Sequence, residues 1–411
     1  MIRATPTVPV TARRSDRAWV LGVALLAVVP IAGPALAAPA LLPILPAPGE
    51  EGLVAYGLSP DGTAVTGDAS FGGSGNDAHT GAFRWTAATG TQPLGLPAGT
   101  YASSGIAVSA GGSTVVGNVS TLDGRFLGFR WTAAGGYQYL GALPGGSNSI
   151  PLATNRDATV VVGEANTGTA AVAFRWTAAG GLQSLGPIPG GYRDTAYGVS
   201  DDGAVAAGAS LTPNGGAVLP TSEAFRWTAA TGMQPLGHLP GKTYAAALGV
   251  SADGSTIVGY DAGGTLGVDT EVPFRWTAAT GITALPLPAG ALGGFADEAS
   301  ADGSAIVGTA NYTDGSRAIL WTPAMGAVDL NAYLASRGVD LDGWRLTGGV
   351  DVSADGTAIL VSAARGPEQS GYFLVTGVPE PAGLGALALG LAGALGRRRR
   401  GRAASSPFAD R

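Results

Sequence analysis

Few side chains in this 411-residue chain carry ready chemistry. There is no cysteine, which excludes disulfides, thiolate nucleophiles and thiolate metal sites. Histidine occurs twice, at His79 and His238, with no partner pattern around either. No Ser-His-Asp order, zinc spacing or phosphate-cradling glycine loop can be assembled, and both histidines read as surface residues. Aspartate recurs instead: Asp61, Asp202, Asp253, Asp302 and Asp355 each stand in a Ser-x-Asp-Gly phrase. Calcium wants six to eight oxygens at one point, whereas each phrase supplies one carboxylate, so turn geometry explains them better. Arginine recurs as well, at Arg84, Arg130, Arg175, Arg226 and Arg275, with Leu320 and Leu374 at the equivalent places further on. Charge is therefore not required there, and an arginine stem packing between repeats is the reading favoured over a ligand-binding ring. No metal or cofactor is expected.

These residues are carried by a repeat. Ala82-Phe83-Arg84-Trp85-Thr86 returns with Trp at 85, 131, 176, 227, 276 and 321, in steps of 46, 45, 51, 49 and 45 residues. The Ser-x-Asp-Gly phrase keeps the same beat, with degenerate copies at Ser109-Ala110-Gly111-Gly112 and Thr154-Asn155-Arg156-Asp157. Asp-Gly between apolar runs signals a hairpin, and each period breaks into four short strands, the content of a propeller blade. The first strand of each unit is rich in small residues, such as Ala55, Gly57, Ala247 and Gly249, which suits an innermost position. Phe and Trp share one face of the third strand and should be core. The turn phrase counts seven units. The seventh ends at Tyr372–Thr376 without a fourth strand, and the orphan run Leu41–Pro46 resembles one. The expectation is all-β: a closed propeller of seven four-stranded blades, with the N-terminal strand completing the last. A short helix is expected over 332–337.

Connections between second and third strands vary most, and variable loops on a rigid scaffold are where recognition usually lives. The candidate ligand face comprises Asp77, His79, Asp123, Arg125, Tyr192, Arg193, Asp261, Asp269, Glu271 and Tyr312. Without its terminal segments the chain holds 13 basic against 27 acidic residues, a balance that disfavours nucleic acid and anionic membranes as partners.

Both ends read as address labels. Arg13, Arg14 and Arg17 precede an apolar run that closes on Ala35-Leu36-Ala37, a signal helix with cleavage expected after Ala37. At the other end stand Val378-Pro379-Glu380-Pro381, the charge-free run 382–396 and Arg397-Arg398-Arg399-Arg400. Fifteen helical residues span about 22 Å against a hydrocarbon core of about 30 Å, a short transmembrane helix whose arginines should stay cytoplasmic. This three-part tail resembles the PEP-CTERM sorting signal of Gram-negative bacteria that make exopolysaccharide. The resemblance implies that an exosortase-like enzyme recognises and processes the tail. The repeat phrases over about residues 50–377 resemble HAF-type extracellular repeats, a family that supplies no catalytic residue to carry over.

The chain thus divides into a signal peptide (1–37), a propeller (38–377), a sorting signal (378–400) and a cytoplasmic tail (401–411). It is expected to be exported, anchored briefly in the inner membrane, then placed at the cell surface or outside, touching membrane only through its ends. The favoured function is a non-catalytic binding or structural protein in an exopolysaccharide setting. The alternative is a propeller enzyme acting on glycans or esters, which an acidic cluster with an arginine over the axis would favour.

Overall fold

A computed structural model describes residues 38–71, 79–213, 221–263 and 271–378. Among them the chain is all-β, with a single α-helix, and propeller-like. Seven sets of four antiparallel strands follow one another. The first has an inner strand Glu50–Leu58, a second Ala64–Phe71, a third His79–Thr86 and an outer Gly90–Pro93. The seventh has Arg345–Val352, Ile359–Arg365 and Gln369–Thr376, and takes its outer strand from Ala40–Ile44, paired from Ala40 opposite Thr376 to Ile44 opposite Tyr372. The expected N-terminal strand is therefore found where the last unit lacks one. Hydrogen-bonded sheets do not run unbroken through all the units: the first two share one sheet, the next three another, and the last two stand separately.

The turn phrase explains itself locally. In the unit-5 copy Ser251 Oγ donates to Asp253 Oδ1 (2.6 Å) and accepts from Thr256 N (2.9 Å), while Gly254 takes a φ of +69° that a side chain would resist. The hydroxyl is buried and fully used, so the aspartate is a turn residue, as expected from its spacing. The corresponding Asp202 is held below the usual carboxylate range by the Ser200 hydroxyl and the Ala204 N–H.

Successive turns are also tied to one another. Gly111 N donates to Asp61 Oδ2, Ala110 N to Arg156 O, Asn155 Nδ2 to Asp201 O and Asp201 N to Ala252 O. Asp253 N then donates to Ala301 O, Ala301 N to Ala354 O and Ala354 N to Pro60 O, which returns to the first unit.

Packing follows the register. In the first five units the phenylalanine of the third strand lies opposite a glycine of the second, for example Phe83 opposite Gly67, Phe174 opposite Gly163 and Phe225 opposite Gly208. A Cβ on Gly67 would fall 1.9 Å from Val54 O and 2.8 Å from the Phe83 ring, so only glycine fits beneath it. All five phenylalanines of the phrase are fully buried. The tryptophans are less uniform: Trp85 and Trp321 are buried, but Trp131, Trp176, Trp227 and Trp276 are half-buried, although all six face the short outer strand at the same register. The repeated arginines pack between units: Arg175 Nε donates to Gly203 O of the next turn, and Arg130 stacks 5.5 Å from the Trp176 ring. The helix, Leu330–Ser336, begins two residues before its expected place; Asp329 caps it through Asn331 N, and Leu330, Tyr333 and Leu334 enter the core of the last two units.

Candidate functional site

Every inner strand has a bulge toward its C-terminal end, at Tyr56, Ile106, Leu152, Tyr197, Leu248, Asp297 and Val350, and the first, second and seventh have another near their start. A bulge inserts an unpaired residue and bends the strand. Here all seven C-terminal bulged stretches converge on one cavity of about 180 Å³. The residue after each of these bulges is small in five units: Gly57, Ala107, Ala153, Gly198 and Gly249. In the last two it is an acid, Glu298 and Asp351. The crowding explains the small residues, since a Cβ on Gly249 would fall 2.6 Å from Glu298 Oε1 and 2.7 Å from Asp297 O.

The two acids line the cavity with Tyr56, Tyr197 and Asp201. Asp351 Oδ2 accepts from Leu58 N of the first unit and Oδ1 from Val352 N, both at 2.7 Å. Glu298 Oε1 accepts from Ala299 N at 2.9 Å. Both carboxyl groups are half-buried, because the only space they reach is the cavity, and protein encloses them elsewhere. Burial raises Asp351 to about 7 in spite of its two N–H donors. Burial, and then the charge of Asp351, raise Glu298 and neighbouring Asp297 well above the usual range. No Lys, Arg or His lines the cavity among the described residues. Burial raises Asp201 of the lining, while the charge of exposed Arg156 opposes the rise.

This site is not the one expected from loop variability. The cavity lies toward the Ser-x-Asp-Gly ends of the strands, since Pro60, Asp201, Ala252, Ala301 and Ala354 of those turns line it. The described candidate residues sit at the opposite strand ends and do not converge. His79 is exposed, 3.1 Å from Tyr101 O through Nδ1. Asp123 and Arg125 pair with each other at 2.8 Å in one hairpin turn. Arg193 forks onto Glu164 with both Nε and Nη2, and Tyr192 beside it is exposed. Tyr312 lies 4.1 Å under the Arg317 guanidinium, and Glu271 uses its backbone carbonyl to hold Gly294 N. Asp261 is fully buried against His238, so the reading of that histidine as an unpartnered surface residue is corrected. Asp77 and Asp269 lie outside the described residues, as do Ala35, Ala37, Pro379, Glu380, Pro381 and Arg397–Arg400. Val378 is buried, with its N–H on Thr357 O, and belongs to the folded body rather than to a presented motif.

The sequence did carry a signal for the acids. Aligning inner strands by their bulges sets Glu298 and Asp351 against glycine or alanine in every other unit, whereas ranking loops by variability looks away from them.

A sheet array of this kind with a cavity among its inner strands defines a β-propeller-like protein. No protein family and no curated protein matches the chain by sequence. Solved structures match it in fold. The β-propeller domain of the trilobed protease from Pyrococcus furiosus, described as having an open velcro topology, is 8% identical with a TM-score of 0.53, over 82% of this chain and 97% of that one. Oligogalacturonate lyase from Vibrio parahaemolyticus is 11% identical with a TM-score of 0.52, over 83% and 94%. Pyrococcus horikoshii acylaminoacyl peptidase is 7% identical with a TM-score of 0.53, over 84% of this chain and 55% of that one. At such identities the likeness is one of fold. It counts against the expectation of a non-catalytic repeat protein only in that these similar structures are themselves enzymes or domains of enzymes. Among the described residues no helix is long and apolar enough to cross a membrane, and the segments expected to do so lie outside them.

Proposed function

We propose that the protein is a β-propeller enzyme acting on neutral glycans or esters, with Glu298 and Asp351 as its acid–base pair. The observation that carries this is the placing of two unlike carboxyl groups in one cavity. Glu298, raised well above the usual range, holds its proton and serves as general acid toward a leaving oxygen. Asp351, fixed by Leu58 N and Val352 N and titrating near 7, serves as general base on water. Environments that push two acids apart in pKa are the usual means of assigning such roles. The cavity is smaller than the ~300–1,000 Å³ that engulfs a drug-sized ligand, so it would receive one end of a longer substrate. The substrate named for the similar lyase is anionic, and a lining without a basic side chain speaks against an anion at the reacting end. A panel of neutral aryl glycosides and aryl esters tests the reading. Turnover should follow a bell-shaped pH profile and fall at least ~100-fold in Glu298→Gln. No turnover across the panel, or full activity in Glu298→Gln, refutes it.

We further propose that the body closes as a seven-bladed ring, with Ala40–Ile44 as the fastening strand. Its support is the hydrogen-bond circuit that runs from turn to turn and returns from Ala354 to Pro60, together with the single cavity shared by seven inner strands.

For the ends, we propose export through residues 1–37 and sorting at the outer edge of the inner membrane by an exosortase-like enzyme acting on Pro379-Glu380-Pro381. The arginine block supports this, because guanidinium groups resist crossing a bilayer. Mass spectrometry of surface or secreted protein should find both ends removed. An intact Arg397–Arg400 on surface protein would mark a lasting anchor.

A further inference from the structure

Away from the cavity, three departures from the repeat meet at one point. His238 stands in the link from unit 4 to unit 5, where the two preceding links have Ala142 and Pro187. Glu223 stands in the third strand of unit 4, at the register position of Gly81, Leu127 and Val172. Asp261 stands in the second strand of unit 5, at the position of Ala69, Val119 and Ala165. His238 Nδ1 lies 3.1 Å from Asp261 Oδ1 and Nε2 lies 3.1 Å from Glu223 Oε1. The two carboxylates sit on opposite ring nitrogens, so the three groups do not converge on a metal ion.

We propose that His238 is a pH-dependent staple joining unit 4 to unit 5. As imidazolium it donates through both nitrogens, one to each unit. Burial acts to lower its pKa, but the hydrogen bonds and charges of Asp261 and Glu223 outweigh burial and raise it above 6.5. Asp261 and Glu223 are the charges that act on the ring; Lys242 stands four residues further along the same link. A neutral imidazole keeps a single N–H. It stays on Nδ1, because Asp261 is fully buried, whereas Glu223 is half-buried and can turn to water. Deprotonation therefore frees Glu223 and opens the unit-4 side. The folded pKa is raised above the unfolded one, so this contribution is complete below pH 6.5 and is lost as pH rises through the folded value.

The chain has two histidines, so its imidazole carbon-bound proton signals in NMR are assigned by one substitution, His238→Gln. In the full-length protein the His238 signal should titrate above 6.5 and move down in Glu223→Gln. The melting temperature of the wild type should exceed that of His238→Gln by more at pH 5.5 than at pH 8.5. Taking the gap between the two proteins cancels the pH dependence of other groups. A His238 titration at or below 6.5, one unmoved by Glu223→Gln, or a gap constant with pH overturns the staple.

Discussion

Replacing Asp351 by asparagine should make the protein less sensitive to pH, and more stable than the wild type in relative terms above neutrality. Both oxygens of Asp351 already accept a backbone N–H, so asparagine keeps one acceptor, Oδ1, and turns its NH2 donor toward the other N–H, a cost that does not change with pH. That fixed cost offsets the variant from the wild type equally at every pH, so only the change of their difference with pH reports the ionisation of Asp351. Burial raises the carboxyl from 3.8 to about 7 in the folded protein. A raised acid favours the fold while protonated: its contribution is complete below the unfolded pKa and is lost as pH rises through the folded value. At 1.36 kcal/mol per pH unit, ionising Asp351 costs at most ~4 kcal/mol by pH 8, and less to the extent that water in the cavity solvates it. The neutral amide of the variant cannot incur that cost, and removing the Asp351 charge also relieves Glu298 and Asp297.

Urea unfolding at pH 4.5, 6 and 8, extrapolated linearly, reads the difference directly. The free energy of Asp351→Asn minus that of the wild type should climb with pH by ~2–4 kcal/mol. A difference flat to within ~0.5 kcal/mol, or one that falls with pH, would show that Asp351 ionises freely and would remove it from the acid–base pair.

Two further outcomes follow from packing and closure. Phe174→Ala should cost ~3–5 kcal/mol and half-buried Trp176→Ala visibly less, measured as paired denaturant midpoints; the reverse order would show that the outer strands pack more tightly than described. Deleting residues 40–44 should lower the melting temperature substantially by exposing the Gln369–Thr376 edge, and an unchanged melting point would mean that the fastening strand contributes nothing.

The repeat is legible in the sequence because its signals are local. Ser-x-Asp-Gly dictates its own turn through one hydroxyl and one carboxylate, and Phe-Arg-Trp alternates across a strand, so seven units and the missing outer strand can be read in order. Trp burial is overstated by the same reading, since sequence shows which face a side chain takes and not how completely its neighbours cover it. The pairing of His238 with Asp261 is not legible, because 23 residues and a strand reversal separate them. The cavity acids escape for a different reason: loop variability points to the opposite strand ends, whereas the bulged inner strands hold conformation constant and vary one side chain at a time.

A repeat makes its own departures conspicuous once register is known. Where seven strands crowd around one space, the economical residue after each bulge is glycine or alanine, and five units have it. Glu298 and Asp351 place two carboxyl groups in the same space, at the cost of raised pKa values and with no basic side chain lining it. A purely structural ring would be more stable with small residues in all seven places, and buried acids without a cation are retained where stability yields to use. Adjacency strengthens the point, since the two acids occupy neighbouring units and Asp351 takes its second donor, Leu58 N, from the first unit across the junction with the last. If the body closes and Asp351 acts as base, as proposed, its fastening and the orientation of that carboxylate rest on the same seam. Loosening that seam should degrade Asp351's hydrogen bonds before it unfolds the remaining units.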